Sequence, residues 1–133
     1  MKRINIFFKK NFFSKKNNVL LTVVGVGPGD PDYLTIAAIK AIRKSKVIFY
    51  PVSGFDKESF SLKIVKKYLR FKKKIPIIFP MGRKFHNPQE IWKKAGEIIV
   101  ENITRHKKVV LLCLGDTSIF ASSSYIILSL IHI

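Results

Sequence analysis

Two glycine–aspartate pairs, Gly29-Asp30 and Gly115-Asp116, each follow an apolar run and each precede a helical pattern. The first lies in Gly25-Val26-Gly27-Pro28-Gly29-Asp30-Pro31. Gly27 and Gly29 have no Cβ, so they can take positive φ and let a second molecule approach the main chain. Pro28 and Pro31 fix φ and remove two donors, which stiffens the loop. A dinucleotide fingerprint does not fit. Its third glycine would fall at Asp30, and the next strand ends in Tyr50-Pro51 where a ribose-binding acid belongs. The Asp30 carboxylate would also repel a pyrophosphate lying over a helix N-terminus. A stiff turn with an acid and bare backbone therefore suits a ligand without phosphates. Taken alone, a plain tight turn between strand and helix is the simpler reading.

Other chemistry-bearing residues are sparse. His86 lies in a loop where a solvated histidine is the simple reading, and His106 at a basic helix end reads as a partner of the helix dipole. Cys113 sits in an apolar run, and a single cysteine makes no intramolecular disulfide, so a buried inert thiol in an intracellular protein is expected. No catalytic residue and no metal-ligand set emerges from the spacing.

The elements that would position the two turns alternate regularly. Val19–Val26 is branched and apolar and reads as an interior strand. Thr35 caps a helix through about Ser45, with Ile36, Ile39 and Ile42 on one face. Val47–Tyr50 is a second strand, ended by Pro51. Asp56 caps a second helix with Leu62, Val65 and Leu69 inward and Lys63, Lys66, Lys67 and Arg70 outward. Ile75–Phe79 is a third strand, closed by Pro80. Asn87-Pro88-Gln89-Glu90 starts a third helix, with Ile91, Ala95, Ile98 and Ile99 buried. Val109–Leu114 shows no polar alternation and reads as a central strand covered on both sides. A helical run from Ile119 follows. The implied class is α/β, a mainly parallel sheet with flanking helices. In such sheets ligands bind beyond the carboxyl ends of strands, where both glycine–aspartate turns lie.

A chain of 133 residues that is 47% hydrophobic forms one domain with a real core. Its 25 Lys and Arg against 8 Asp and Glu give a net charge of +17. That balance attracts polyanions, or it reflects compositional bias. Residues 1–18 carry basic pairs and four phenylalanines and read as a disordered, solvated extension. Residues 117–133 are charge-free but include five serines and fall short of the roughly 20 apolar residues of a membrane span, so no span is expected. A basic nucleic-acid-binding module is the main rival reading. It needs cations interleaved with exposed aromatics on one face, whereas here they spread over helices, so no nucleic acid is expected.

Three stretches resemble the tetrapyrrole methylases: Gly25–Pro31 with Leu34-Thr35, Val47–Ser53 with Glu58-Ser59, and Leu114-Gly115-Asp116-Thr117-Ser118-Ile119-Phe120. Tyr50-Pro51-Val52, and Phe79-Pro80-Met81 followed by Trp92, look most like the branch that methylates precorrin-2 at C20. The resemblance spans about residues 19–131. It implies the N-terminal α/β domain of that fold over 19–133, S-adenosylmethionine as methyl donor, a carboxylate-rich tetrapyrrole as acceptor, a homodimer, and a cytoplasmic role in cobalamin biosynthesis. Pro28, Leu114, Gly115, Asp116 and Ile119 match the family's donor site. Gly27, Gly29 and Asp30 are candidates on the acceptor side, and Arg83 and Lys84 could pair with acceptor carboxylates. Family members have roughly twice this length, so a truncated chain without the second domain is expected to be inactive alone.

Overall fold

A computed structural model describes residues 2–5, 20–54, 58–79, 87–105 and 108–115. The strands are β1 (Lys2–Asn5), β2 (Leu20–Gly25), β3 (Val47–Val52), β4 (Lys73–Ile78) and β5 (Lys108–Cys113), and the helices are α1 (Ile36–Lys44), α2 (Phe60–Ile64) and α3 (Pro88–Arg105). They form one sheet in the order β1-β2-β5-β3-β4. The pairs β2–β5, β5–β3 and β3–β4 are parallel, while β1 runs antiparallel to β2. The mainly parallel α/β sheet read from the sequence is the fold observed.

Alternate residues of each strand serve opposite faces. Leu21, Val23, Val47, Phe49, Val109 and Leu111 pack on one side against Ala95, Ile99 and Ile103 of α3. Val24, Ile48, Val110 and Leu112 pack on the other side against Ala38 and Ile42 of α1 and Ile64 and Val65 at the end of α2. With both faces covered, β5 needs no polar alternation, and its residues from Val109 to Cys113 are all buried.

Several expectations are corrected. The N-terminal extension is not wholly a solvated tail, because Lys2–Asn5 pairs with Val23–Leu20. Without β1, strand β2 would be the edge of the parallel section. Pro51 does not end β3, which runs on to Val52. The Val52 carbonyl accepts from Phe79 N–H on the β4 side, so alternation turns Pro51 toward β5. Pairing with β5 stops at Phe49–Leu111, and the missing donor of Pro51 has no acceptor to serve. Strand β4 starts two residues earlier than read and tolerates Pro76 because it is an edge strand. Leu114 lies past the end of β5.

The second helix starts at Ser59, whose Oγ accepts from Leu62 N–H, and continues as a 3-10 turn over Lys66–Tyr68. Val65 and Leu69 are buried as expected, Leu62 is half-buried, and Lys63, Lys66, Lys67 and Arg70 face out. Asp56, the expected cap, lies outside the described residues. In α1 the buried stripe is Leu34–Ala38–Ile42, and Ile36 is exposed. It sits two residues from Ala38, hence about 200° round the helix. In α3, Ile98 is exposed for the same kind of reason. It stands one residue, about 100°, off the Ala95–Ile99–Ile103 stripe.

Candidate functional site

The two glycine turns meet. Strands β2 and β5 pair in register up to Gly25–Cys113, and the hydrogen bonding continues past both strand ends. Val26 N–H donates to the Cys113 carbonyl at 3.0 Å, and Gly115 N–H donates to the Gly27 carbonyl at 3.2 Å. Gly27 and Gly115 form an isolated bridge, at φ 76° and 69°. An L side chain would be strained at either position. Glycine is therefore what allows both chains to turn off the sheet at one level.

The first turn is as stiff as its prolines suggest. Asp30 Oδ1 accepts from Asp32 N–H at 2.9 Å, and Tyr33 N–H donates to the Asp30 carbonyl at 3.1 Å. These bonds close a 3-10 turn over Pro31–Tyr33, and buried Leu34 anchors it. Thr35 then caps α1, its Oγ1 accepting from Ala38 N–H at 3.1 Å.

Among the described residues, little covers the backbone of these turns. A Cβ built on Gly29 or Gly115 would meet nothing within 4 Å, while one on Gly27 would meet Tyr33 Cβ at 3.5 Å. Pro28, Gly29 and Asp30 are exposed, and Leu114 offers an apolar side chain that is 47% exposed. Thus Pro28, Leu114 and Gly115 come together with Gly27, Gly29 and Asp30. Asp116, Ile119, Arg83, Lys84, His86 and His106 lie outside the described residues. Tyr33, an exposed ring beside Gly27, joins the group without having been singled out by sequence. Its only signal was position, three residues after Asp30 at the end of the turn.

Nearby sequence features also find a physical role. Phe79, which follows β4, packs against Trp92 of α3 with ring centroids 5.0 Å apart and planes tilted by 60°. A cavity of about 580 Å³ opens elsewhere, on the α1–α2 face of the sheet. Tyr50, Leu62 and Leu69 line it with Lys66, Arg70 and Lys74. It includes none of the glycine-turn residues. The chemistry of the turns, and their place at the strand ends, make them the better site.

The sequence model of the tetrapyrrole (corrin/porphyrin) methylases matches residues 20–132. The chain belongs to this family. Among curated relatives of this tetrapyrrole methylase, the probable cobalt-precorrin-2 C(20)-methyltransferase of Methanocaldococcus jannaschii is 31% identical over 103 residues, which are 77% of this chain and 44% of the relative. The cobalt-precorrin-2 C(20)-methyltransferase of Salmonella typhimurium is 24% identical over 106 residues, 79% of this chain and 45% of the relative. The uroporphyrin III C-methyl transferase of Thermus thermophilus shares the fold with a TM-score of 0.58 at 20% identity, over 84% of this chain and 43% of that one. The chain spans less than half the length of the curated relatives it matches. Among its described residues no helix is long and apolar enough to cross a membrane.

Proposed function

We propose that this tetrapyrrole methylase carries S-adenosylmethionine-dependent methylation of precorrin-2, or its cobalt-bearing form, at C20 in cobalamin biosynthesis. The observation that carries the reading is the joined pair of turns. The Gly115 N–H to Gly27 carbonyl bond fixes two stretches of side-chain-free backbone at the carboxyl ends of adjacent strands. A donor with a sulfonium, an ammonium and no phosphate fits that surface. The exposed Asp30 carboxylate favours positive charge, and there is no phosphate to repel.

The bound donor supplies an electrophilic methyl group. The chain's own part is to hold donor and acceptor in line at contact distance, which is where most of the rate is gained. In this reading Pro28, Leu114, Gly115, Asp116 and Ile119 hold the donor. Arg83 and Lys84 pair with acceptor carboxylates. The C20 assignment is supported by the names of the two relatives, by Tyr50-Pro51-Val52 closing β3, and by Phe79 seated on Trp92. Because the relatives extend well beyond the matched region, the second wall of the site comes from outside these 133 residues or from a homodimeric partner. On their own these residues bind donor weakly and transfer no methyl group, and the enzyme works in the cytoplasm.

The test is calorimetric titration with S-adenosylmethionine. Asp116→Ala is expected to weaken binding about tenfold or more by leaving a donor polar group unpaired. Affinity unchanged in this variant refutes the donor site. Methylation of precorrin-2 at another carbon by the two-domain enzyme refutes the C20 assignment alone.

A further inference from the structure

The strand starts, opposite the glycine turns, gather cations. Residues 66–74 hold six of them in nine positions: Lys66, Lys67, Arg70, Lys72, Lys73 and Lys74. No acid occurs in residues 33–55, 59–89 or 102–115. Lys46 N–H donates to the Lys108 carbonyl and Lys73 N–H to the Lys46 carbonyl, both at 3.2 Å. Lys46, just before β3, and Lys108, opening β5, therefore stand side by side about 4.8 Å apart, while Lys73 opens β4 opposite Val47.

Aromatic rings are interleaved with these charges. The Arg43 guanidinium lies 5.4 Å from the centre of the Tyr68 ring and the Lys67 ammonium 5.2 Å from it. The Arg70 guanidinium lies 4.9 Å from the Phe71 ring. Phe71 is 94% exposed and sits at φ 61°. A bulky residue gains nothing from burial there and is strained by its backbone. Any residue without a side-chain task would be better replaced by glycine.

We propose that this pole binds single-stranded nucleic acid, with Phe71 as a base-stacking platform and the lysines of the strand starts tracking the phosphates. Stacking on an exposed ring is tolerant of base identity, and a guanidinium beside the ring adds cation–π attraction. A single exposed ring flanked by charge suits one stacked base. An anionic lipid surface would call for a wider apolar area to insert.

The test is fluorescence anisotropy with a labelled single-stranded RNA of about 12 nucleotides, within the usual site size of such binders. It is run on the full chain at several salt concentrations. Phe71→Gly removes the ring and suits φ 61°, so the variant remains folded, with a midpoint no lower than the parent's. It is expected to bind about tenfold or more weaker with an unchanged salt slope. Lys46→Gln with Lys108→Gln is expected to flatten the slope by about 1.4, at about 0.7 per phosphate contact on a single strand. Equal binding by Phe71→Gly and parent overturns the proposal and leaves only bulk charge. Binding to phosphatidylserine vesicles with none to RNA overturns it in favour of a membrane surface.

Discussion

Gly115 offers the sharpest separation of folding from donor binding. Its φ of 69° is left-handed, yet among the described residues nothing lies within 4 Å of where a Cβ would go. Folding and binding therefore make different demands on the residue. Valine, branched at Cβ, should cost about 1–2 kcal/mol from backbone conformation alone. At about 4 °C per kcal/mol for a domain of this size, the midpoint should fall by about 4–8 °C. Asparagine visits the left-handed region readily, so Gly115→Asn should leave the midpoint within a few degrees of the parent. Both variants fill the same space. If the donor rests on the glycine backbone as proposed, one of its atoms would take the Cβ position, and any side chain would displace it. Losing about two backbone hydrogen bonds at about 1 kcal/mol each amounts to about 2 kcal/mol. That is about 30-fold in affinity. Thermal unfolding by circular dichroism reads the first quantity, and calorimetry or ligand-observed NMR with S-adenosylmethionine reads the second. Donor affinity in Gly115→Asn within twofold of the parent would refute the idea that the bare backbone is a ligand surface. A midpoint unmoved in Gly115→Val would refute the strain argument instead.

Three further outcomes follow from single contacts. Thr35→Ala removes the Oγ1 acceptor of Ala38 N–H and should cost about 1 kcal/mol, read as a shift in the denaturation midpoint. Deleting residues 2–5 uncovers the full edge of β2, a flat apolar strand, and light scattering should show self-association that the parent lacks. Lys72 donates to the carbonyls of Arg43 at 2.9 Å and Ser45 at 2.6 Å, and burial lowers its pKa from 10.5. The unfolded chain then holds this proton more tightly than the folded one, so the contribution of Lys72 to stability rises as pH climbs through its folded value toward 10.5. Comparing the parent with Lys72→Met cancels the other lysines. The stability difference should grow with pH in the parent's favour, and a difference that shrinks would mean the ammonium is better held folded than unfolded.

What the sequence made legible was set by local pattern. Val109–Cys113, five apolar residues without alternation, could only be a strand covered on both faces, and it is. Thr35 and Pro88 mark helix starts because capping chemistry is confined to one turn. The turns at Gly27 and Gly115 were legible one at a time. Their mutual bond was not, since it depends on β2 and β5 being neighbours across more than eighty residues of chain. Pro51 misled for a related reason. Whether proline breaks a strand depends on which neighbour its nitrogen faces, and the neighbour is a matter of topology. Lys2–Asn5 has no apolar pattern at all, and only the exposed edge of β2 makes it a strand.

The basic pole has the same origin, and one general cause must be subtracted from it. Helix carboxyl ends favour cations, and in a parallel α/β sheet those ends lie beside the strand starts. Arg43 and Lys44 close α1, Arg105 closes α3, and the Lys72 ammonium holds the last carbonyls of α1. Part of the charge at this pole is therefore what any such fold would place there, and the lysines alone argue for no partner. The helix dipole says nothing about an aromatic ring. It gives no reason for a phenylalanine at φ 61°, nine-tenths exposed, with a guanidinium laid on its face. Glycine would relieve the backbone, and a lysine would serve solubility better. The weight of the nucleic-acid proposal therefore rests on Phe71. Charge variants at the strand starts can move the salt slope whether or not a specific partner exists. Only the ring separates a binding surface from an electrostatic by-product of the fold.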